Sequence, residues 1–488
     1  MAGPWVSPAI LLSVEKGTGF AVGSLACARP TGARPIPSIF RLLKLSAVRK
    51  YLYPLLLVLF VAAAAAIFLT QKPEPVPQLR ERRGDLAAGG EWLNTKAAIE
   101  GLLARLRAKP DDTKSKVLLA QAYMQEARVT GDHPYYDTAA MQLLNEVLQA
   151  EPENFEALCC KASLSLTQHH FSEGLAVAEK AVAINPNNAF VYGLLCDANV
   201  ELGRYAEAIK MADKMNAVRP DLRSYSRVSY LREIHGDLPG AIEAMQMAVQ
   251  AGYVGLEQTE WARVTLGHLY ETTGDLPNAE RAYRTALAAR PYYAYALAGL
   301  GRVEQARQNY PAAIKYLEQA RNTVKDYAFA DELADLYRLN QQPAEAKKME
   351  AEAIDMLASA ANEADENEDL GHYADRELAY AYLKTGELDK ALAHAKIEYD
   401  RRPDNIDVNE TLAWVAYKRG DYPAAATYMK AARRTNSQSP VLLCRAGLIA
   451  SKNGQSAEGQ ALIRQALAIN PYLRIDLAEE GRQLLAVR

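Results

Sequence analysis

The side chains best suited to metal or nucleophilic chemistry are the five cysteines and seven histidines, and their spacing supports neither. Cys27, Cys159, Cys160, Cys196 and Cys444 form no C-x-x-C pair and no zinc spacing, and an odd count argues against a full disulfide framework. Free cysteine is among the most buried residue types, so these read as small packing residues. No histidines stand as H-x-x-x-H or H-E-x-x-H, and no phosphate loop, dinucleotide fingerprint or nucleophile–base motif is present. The residues therefore imply no catalytic group, no metal and no cofactor. What recurs instead is a set of cations and aromatic rings. Arg223 and Tyr230, Trp261 and His268, and Tyr295 and Arg302 each stand seven residues apart, which places both members of a pair on one helical face. Arg338, Tyr373, Arg376, Tyr380, Trp414 and Tyr417 extend the series. Arg and aromatic side chains give large contact area and directed hydrogen bonds, so the chemistry on offer is recognition. The same side chains at helical spacing would also serve packing between helices.

The elements that position these residues follow from a repeated punctuation. ELGRYAEAIKMADKMNAVRP (201–220), TTGDLPNAERAYRTALAARP (272–291) and KTGELDKALAHAKIEYDRRP (384–403) share few letters but the same stops. A turn residue falls at His169, Gly203, Gly236, Gly274, Gln308, Gln341, Gly386, Gly420 and Gly454, with successive differences of 34, 33, 38, 34, 33, 45, 34 and 34. Such a sustained period marks stacked supersecondary units. Glycine permits the left-handed backbone that turns one helix into the next. Five residues later stands a small side chain, such as Ala208, Ala241, Ala279 or Ala391, that lets two helices approach closely. Pro152, Pro186, Pro220, Pro291, Pro403 and Pro471 then stop the second helix. Between the stops, apolar residues recur at helical spacing and do not alternate as in a strand. Each unit is a helix, a tight turn and an antiparallel helix, too small to bury its apolar face alone, so the units must stack.

LGHLYETTGDLPNAERAYRTALAARP, residues 266–291, resembles a tetratricopeptide repeat, with Leu266, Gly267, Tyr270, Gly274, Ala279, Tyr283, Ala286 and Pro291 on the signature positions. The resemblance covers residues 97–486. KVLLAQAYMQEARVTGDHPYY (116–136) and VSYLREIHGDLPGAIEAMQMAV (228–249) are also similar to membrane-anchored bacterial repeat proteins of unsettled function. The resemblance implies an all-α superhelix of about ten helix-turn-helix units. It also implies a concave wall lined by first helices, on which the twelve residues named above fall. The expected ligand is a peptide or partner protein; the alternative is an assembly factor or regulator acting through self-association, and neither reading needs enzyme activity. The basic and Asn set by which such repeats clamp acidic chaperone tails is represented only in part by Arg223 and Arg227, and the Asn ladder of the related glycosyltransferases is absent.

Other stretches depart from the period. Residues 51–70, YLYPLLLVLFVAAAAAIFLT, carry no charge and as a helix would span about 30 Å, a bilayer's hydrocarbon core. This reads as a transmembrane helix of a single-pass inner-membrane protein, with a cleaved signal peptide as the rival. The closest flanking charges, Arg49 and Lys50, favour an N-terminus in the cytoplasm and repeats on the non-cytoplasmic side, whereas free cysteines suit an oxidising compartment less well. The expected organisation is an unfolded segment over 1–50, the transmembrane helix, a Pro-rich linker over 71–96, and an N-terminal array over 97–358. An acidic loop over 359–371 and a C-terminal array with a capping helix over 372–488 follow. An insertion, RVTGDHPYYDT, stands between the helices of the first full unit. The formal net charge of −3 gives no reason to expect nucleic acid as a partner, and no small-molecule substrate is indicated.

Overall fold

The backbone is left-handed at all nine turn positions: φ runs from 61° to 64° at Gln341, Gln308 and His169, and from 73° to 87° at the six glycines. These turns punctuate a computed structural model that describes residues 53, 54, 56–61, 76–82, 86, 90–366, 371–473 and 475–486. The chain divides into two units, one over Leu12–Gln78 and one containing Leu79–Arg488. In the first, residues 53, 54 and 56–61 are helical, and the apolar side chains from Tyr53 to Val61 described there are all exposed. Among the described residues no helix is long and apolar enough to cross a membrane. Most of the expected span over 51–70 lies outside the described residues, as do residues 1–50.

Among the described residues the second unit is all-helical, with twenty-two helices from residue 90 onward. A single helix, α1 (Gly90–Ala108), precedes ten hairpins. The first five are α2 (Thr113–Thr130) with α3 (His133–Ala150), α4 (Phe155–Thr167) with α5 (Phe171–Ile184), α6 (Ala189–Glu201) with α7 (Tyr205–Val218), α8 (Leu222–Ile234) with α9 (Leu238–Ala251), and α10 (Glu257–Thr272) with α11 (Leu276–Ala289). The next five are α12 (Ala294–Ala306) with α13 (Tyr310–Thr323), α14 (Tyr327–Leu339) with α15 (Pro343–Glu366), α16 (Asp375–Thr385) with α17 (Leu388–Arg401), α18 (Ile406–Lys418) with α19 (Tyr422–Ala432), and α20 (Pro440–Lys452) with α21 (Ser456–Ile469). A last helix, α22 (Ile475–Ala486), covers the end of the stack.

Close packing within a hairpin depends on the small residue five places after the turn: Ala208, Ala241, Ala279, Ala313, Ala391 and Ala425 are all fully buried. Tyr283 shows how one unit locks to the next. Its ring is fully buried against Gly267 of α10 and Gly299 of α12, and a Cβ at either glycine would stand 2.5 Å from it. Burying a large side chain of this kind stabilises by about 2–3 kcal/mol.

Two expected irregularities are taken up as helix. The insertion in the first unit lengthens α2 and α3, which meet at a tight turn where Gly131 has φ 75°. Likewise α15 runs on through Glu366 instead of breaking at 359, because the Ala and Glu of ASAANEADE are good helix formers; residues 367–370 lie outside the described part. Nor is the end of the Pro-rich linker detached: Arg82 is buried and pairs with Glu126 of α2 at 2.5 Å, while Arg80 pairs with Asp132 at 2.6 Å.

The stack coils until its second turn lies against its first. The turns between paired helices in the first coil meet the loops between units in the second, at a sequence separation of 199–204 residues. His169 Nδ1 lies 2.8 Å from the carbonyl oxygen of Tyr373. Asn405 Nδ2 donates to the carbonyl of Glu201 at 2.9 Å, and Asn470 Nδ2 donates to that of Glu271 at 3.0 Å. These carbonyls stand at the ends of α6 and α10; that of Glu201 is the last of its helix, where intrahelical donors run out, so the second coil supplies its cap, while that of Glu271 accepts from the N–H of Gly274 at 2.9 Å and gains a second donor from Asn470. Arg402 pairs with Glu201 across the same seam, and Arg434 donates to the carbonyl of Gly203 at 2.7 Å.

Candidate functional site: the inner wall of the coil

Mainly the first helices of the early units line an open cavity of about 720 Å³, with Arg223, Tyr230, Trp261 and Tyr295 all in its wall. Arg223 is set by the start of α8, where the Asp221 carboxylate accepts from the backbone N–H of Arg223 and Ser224 and the Ser224 hydroxyl accepts from Asp221 N–H. That capping box holds the first turn of the helix rigid. The Arg223 guanidinium lies 5.2 Å from the ring of Phe190 and makes no ion pair among the described residues. Burial, together with the nearby charges of Arg227, Arg128 and Arg219, pushes it below the ordinary arginine range. One helical turn on, Arg227 behaves differently. It is buried and donates to both oxygens of Asp197, at 2.8 and 2.5 Å, and to the carbonyl of Gly193 at 3.2 Å. Its charge is consumed in joining α8 to α6. At the far wall, Arg128 pairs with Glu257 at 2.9 Å and the Tyr293 hydroxyl donates to Glu257 at 3.1 Å, which places Tyr295 between Tyr293 and Phe329.

A second cavity, of about 280 Å³, lies where the two coils face each other; Tyr230, His268 and Arg302 line it from one side, and Asp407, Glu410 and Arg445 from the other. Here too the arginines are paired. Arg302 donates to Glu271 at 3.0 Å and to Glu332 at 3.2 Å, stapling α10, α12 and α14 together, while His268 Nδ1 lies 3.1 Å from Glu271. Burial pushes the Glu271 carboxyl up, but Arg302 and His268 outweigh it and leave it below the usual range. Arg445 repeats the device, donating to Glu410 at 2.8 Å and to the Tyr380 hydroxyl at 2.9 Å. Charge-assisted pairs of this kind fix the spacing of neighbouring first helices.

The remaining candidates lie in neither cavity. Arg338 pairs with Asp335 at 3.1 Å and with Glu350. Tyr373 and Arg376 sit at the seam, Tyr373 with the Arg401 guanidinium 3.8 Å from its ring. Trp414 and Tyr417 are buried in the last units and stack on each other at 5.0 Å, so both serve packing. Thus six of the twelve residues line these two cavities, and of their two arginines Arg302 is ion-paired while Arg223 makes no ion pair among the described residues, with Asp221 as its nearest opposing charge. The acidic partners Asp197, Glu271, Glu332 and Glu410 were not anticipated, although each stands about one repeat from its arginine, a spacing the period makes visible. Cys159, Cys160, Cys196 and Cys444 are all buried, and burial pushes the Cys159 and Cys444 thiols up to about 12. Among the described residues no group of three or more His, Cys, Asp or Glu could hold a metal ion.

Family models described as tetratricopeptide repeat match residues 165–234, and again 264–331 and 376–440, and each span contains at least one complete hairpin of the coil together with parts of its neighbours. The chain carries tetratricopeptide repeats. No curated protein matches this repeat protein. Among solved structures it is similar to TTC0263, a thermophilic tetratricopeptide repeat protein of Thermus thermophilus, at 19% identity and a TM-score of 0.33, over 42% of this chain and 98% of that one. It is similar to MamA at 20% identity and a TM-score of 0.27, over 33% and 93% of the two chains. A human IFIT1 dimer with PPP-AAAA shares 15% identity at a TM-score of 0.42, over 72% and 90%.

Proposed function

We propose that this tetratricopeptide repeat protein is a membrane-tethered scaffold that holds a peptide or a segment of a partner protein in the inner wall of its first coil. The observation that carries the reading is the 720 Å³ cavity, whose lining combines a guanidinium without an ion pair, Arg223 beside the ring of Phe190, with the rings of Tyr230, Trp261 and Tyr295. Stacked repeats of this family supply binding surfaces, and aromatic and Arg side chains in partly desolvated pockets are where binding energy concentrates. Tethering rests on the uncharged stretch at 51–70, and the flanking charges favour repeats on the non-cytoplasmic side. Protease access to intact spheroplasts tests the topology: cleavage of the repeats without lysis is expected, and protection until lysis refutes that orientation.

The groove is tested by recovering partners of the full chain from detergent extracts. Trp261→Ala and Arg223→Ala should each lower partner recovery roughly tenfold, as loss of an interface hot spot does. Arg338→Ala, outside both cavities, should leave recovery unchanged. An identical partner set for all four proteins removes this wall as the binding surface.

A further inference from the structure

The five large apolar side chains of the repeat unit that are more than half exposed, among the described residues, all gather at one place. They are Leu93 (67%), Tyr253 (79%), Val254 (75%), Leu256 (56%) and Tyr292 (51%). Three lie in the loop before α10, one in the loop before α12 and one at the start of α1. A chain of polar contacts ties these segments together. Arg82 pairs with Glu91 at 3.3 Å, Arg290 pairs with Glu91 at 2.6 Å, and Arg290 also donates to the carbonyl of Gly255 at 2.9 Å. The polar groups are therefore satisfied among themselves, and the apolar side chains are left facing outward. Scattered exposed apolar residues need no explanation, but a cluster of this kind on adjoining loops marks a contact surface.

The same junction is where the polypeptide arrives from the uncharged stretch. Residues 79–82 are already held by the repeat unit, through Arg80 on Asp132 and Arg82 on Glu126. Only nine residue steps separate Leu79 from Thr70, the end of that stretch. Fully extended, they reach about 30 Å. The tether thus confines the cluster to the neighbourhood of the bilayer, where even a weak affinity is amplified by a high effective concentration. Tyr at both flanks with Val and Leu between them is the composition favoured at a lipid–water boundary.

We propose that the loops over 252–256 and 290–293, with Leu93, rest in the interfacial region of the lipid bilayer and fix the coil on the membrane surface. The inference depends on the membrane-tether reading of residues 51–70. The full chain carrying Cys27→Ser and a single added cysteine, Tyr253→Cys or Gly454→Cys, is labelled with an environment-sensitive nitrobenzoxadiazole probe. It is then reconstituted into phosphatidylcholine–phosphatidylglycerol vesicles. The native cysteines of the coil are buried, and Gly454 sits in open space at the opposite edge, so it serves as the reference. Expected is flotation with the vesicles for both, and quenching by lipids spin-labelled near the headgroup several-fold stronger at 253 than at 454. Flotation with equal, weak quenching at the two sites overturns the docked loops while leaving the tether standing. A probe at 253 that is shielded from water but unquenched, with energy transfer between copies, assigns the cluster to self-association and equally overturns the proposal. Failure to float refutes the tether, and this inference with it.

Discussion

At the scale of the residue, His169 is held neutral by its surroundings. Burial, then the Arg402 guanidinium, pushes its pKa down to about 3, and burial pushes the neighbouring His372 imidazole, whose ring centroid is 4.1 Å away, well below its usual value. An unfolded histidine titrates near 6.5. Protonation therefore favours the unfolded chain: stability from both groups is complete above pH 6.5 and declines as pH falls below it, for His169 down toward 3. The slope is about 1.4 kcal/mol per pH unit, so lowering pH from 6.5 to 5 should cost up to about 2 kcal/mol at His169. Asp326 acts in the opposite sense. Burial raises its carboxyl to about 7, so its contribution is complete below the unfolded value near 3.9 and is lost as pH rises through 7. The wild-type profile combines both, and the difference between variants isolates the histidine. His169→Asn, whose short amide tolerates the local φ of 64°, should flatten the acid limb of urea midpoints measured from pH 7 to 5. Parallel acid limbs for wild type and variant would show that this imidazole does not resist protonation.

At the scale of the element, identical turns differ in what lies opposite them. Gly203 and Gly420 have φ of 73° and 84°, so alanine pays a similar conformational cost of about 1–2 kcal/mol at either. A Cβ on Gly203 would also strike the backbone of Asp404 in the second coil, whereas one on Gly420 would meet nothing within 4 Å. Gly203→Ala should therefore lose about 1–3 kcal/mol more than Gly420→Ala in urea unfolding, the usual range for overpacking. Equal losses would mean that the seam is not packed there. The turns themselves were legible from spacing alone. Even His169, Gln308 and Gln341, which lack the glycine signal, adopt the left-handed backbone, because a period repeated nine times outweighs the propensity of any one residue. The pairing of Arg302 with Glu271 and Glu332 was less visible, since a face pattern shows where a side chain points and not what already neutralises it. Trp414 and Tyr417 illustrate the same ambiguity: packing and recognition use the same residue types at the same helical spacing, and only the neighbouring α20 and α22 decide which applies.

At the scale of the whole molecule, contacts 199–204 residues apart change how the array should unfold. These contacts were hidden in the sequence because they depend on the small rotation between successive units, accumulated over about six repeats. An open stack in which each repeat touches only its neighbours unfolds as a one-dimensional chain, and its two ends can come apart separately. The seam couples the first coil to the second, so denaturant should unfold residues 90–486 in one cooperative transition. Asn405 and Asn470 allow the coupling to be weakened while the capping acceptor of α18 is kept. Asn405 Oδ1 caps α18 by accepting from the N–H of Asp407 and Val408, and aspartate retains that acceptor. It loses the Nδ2 donor that reaches Glu201, as Asn470→Asp loses the donor to Glu271. The first change leaves the Glu201 carbonyl without its partner, at about 1–3 kcal/mol, and the second removes one of the two donors to Glu271, which keeps the N–H of Gly274. In the double variant Asn405→Asp/Asn470→Asp, hydrogen exchange across a urea series should show residues beyond 371 opening at lower urea than α4–α11, where the wild type opens as one. A wild type that already separates would mean that the coil is held by its neighbour contacts alone, and a variant that stays cooperative would mean that the remaining seam contacts of His169, Arg402 and Arg434 carry the coupling without these two amides.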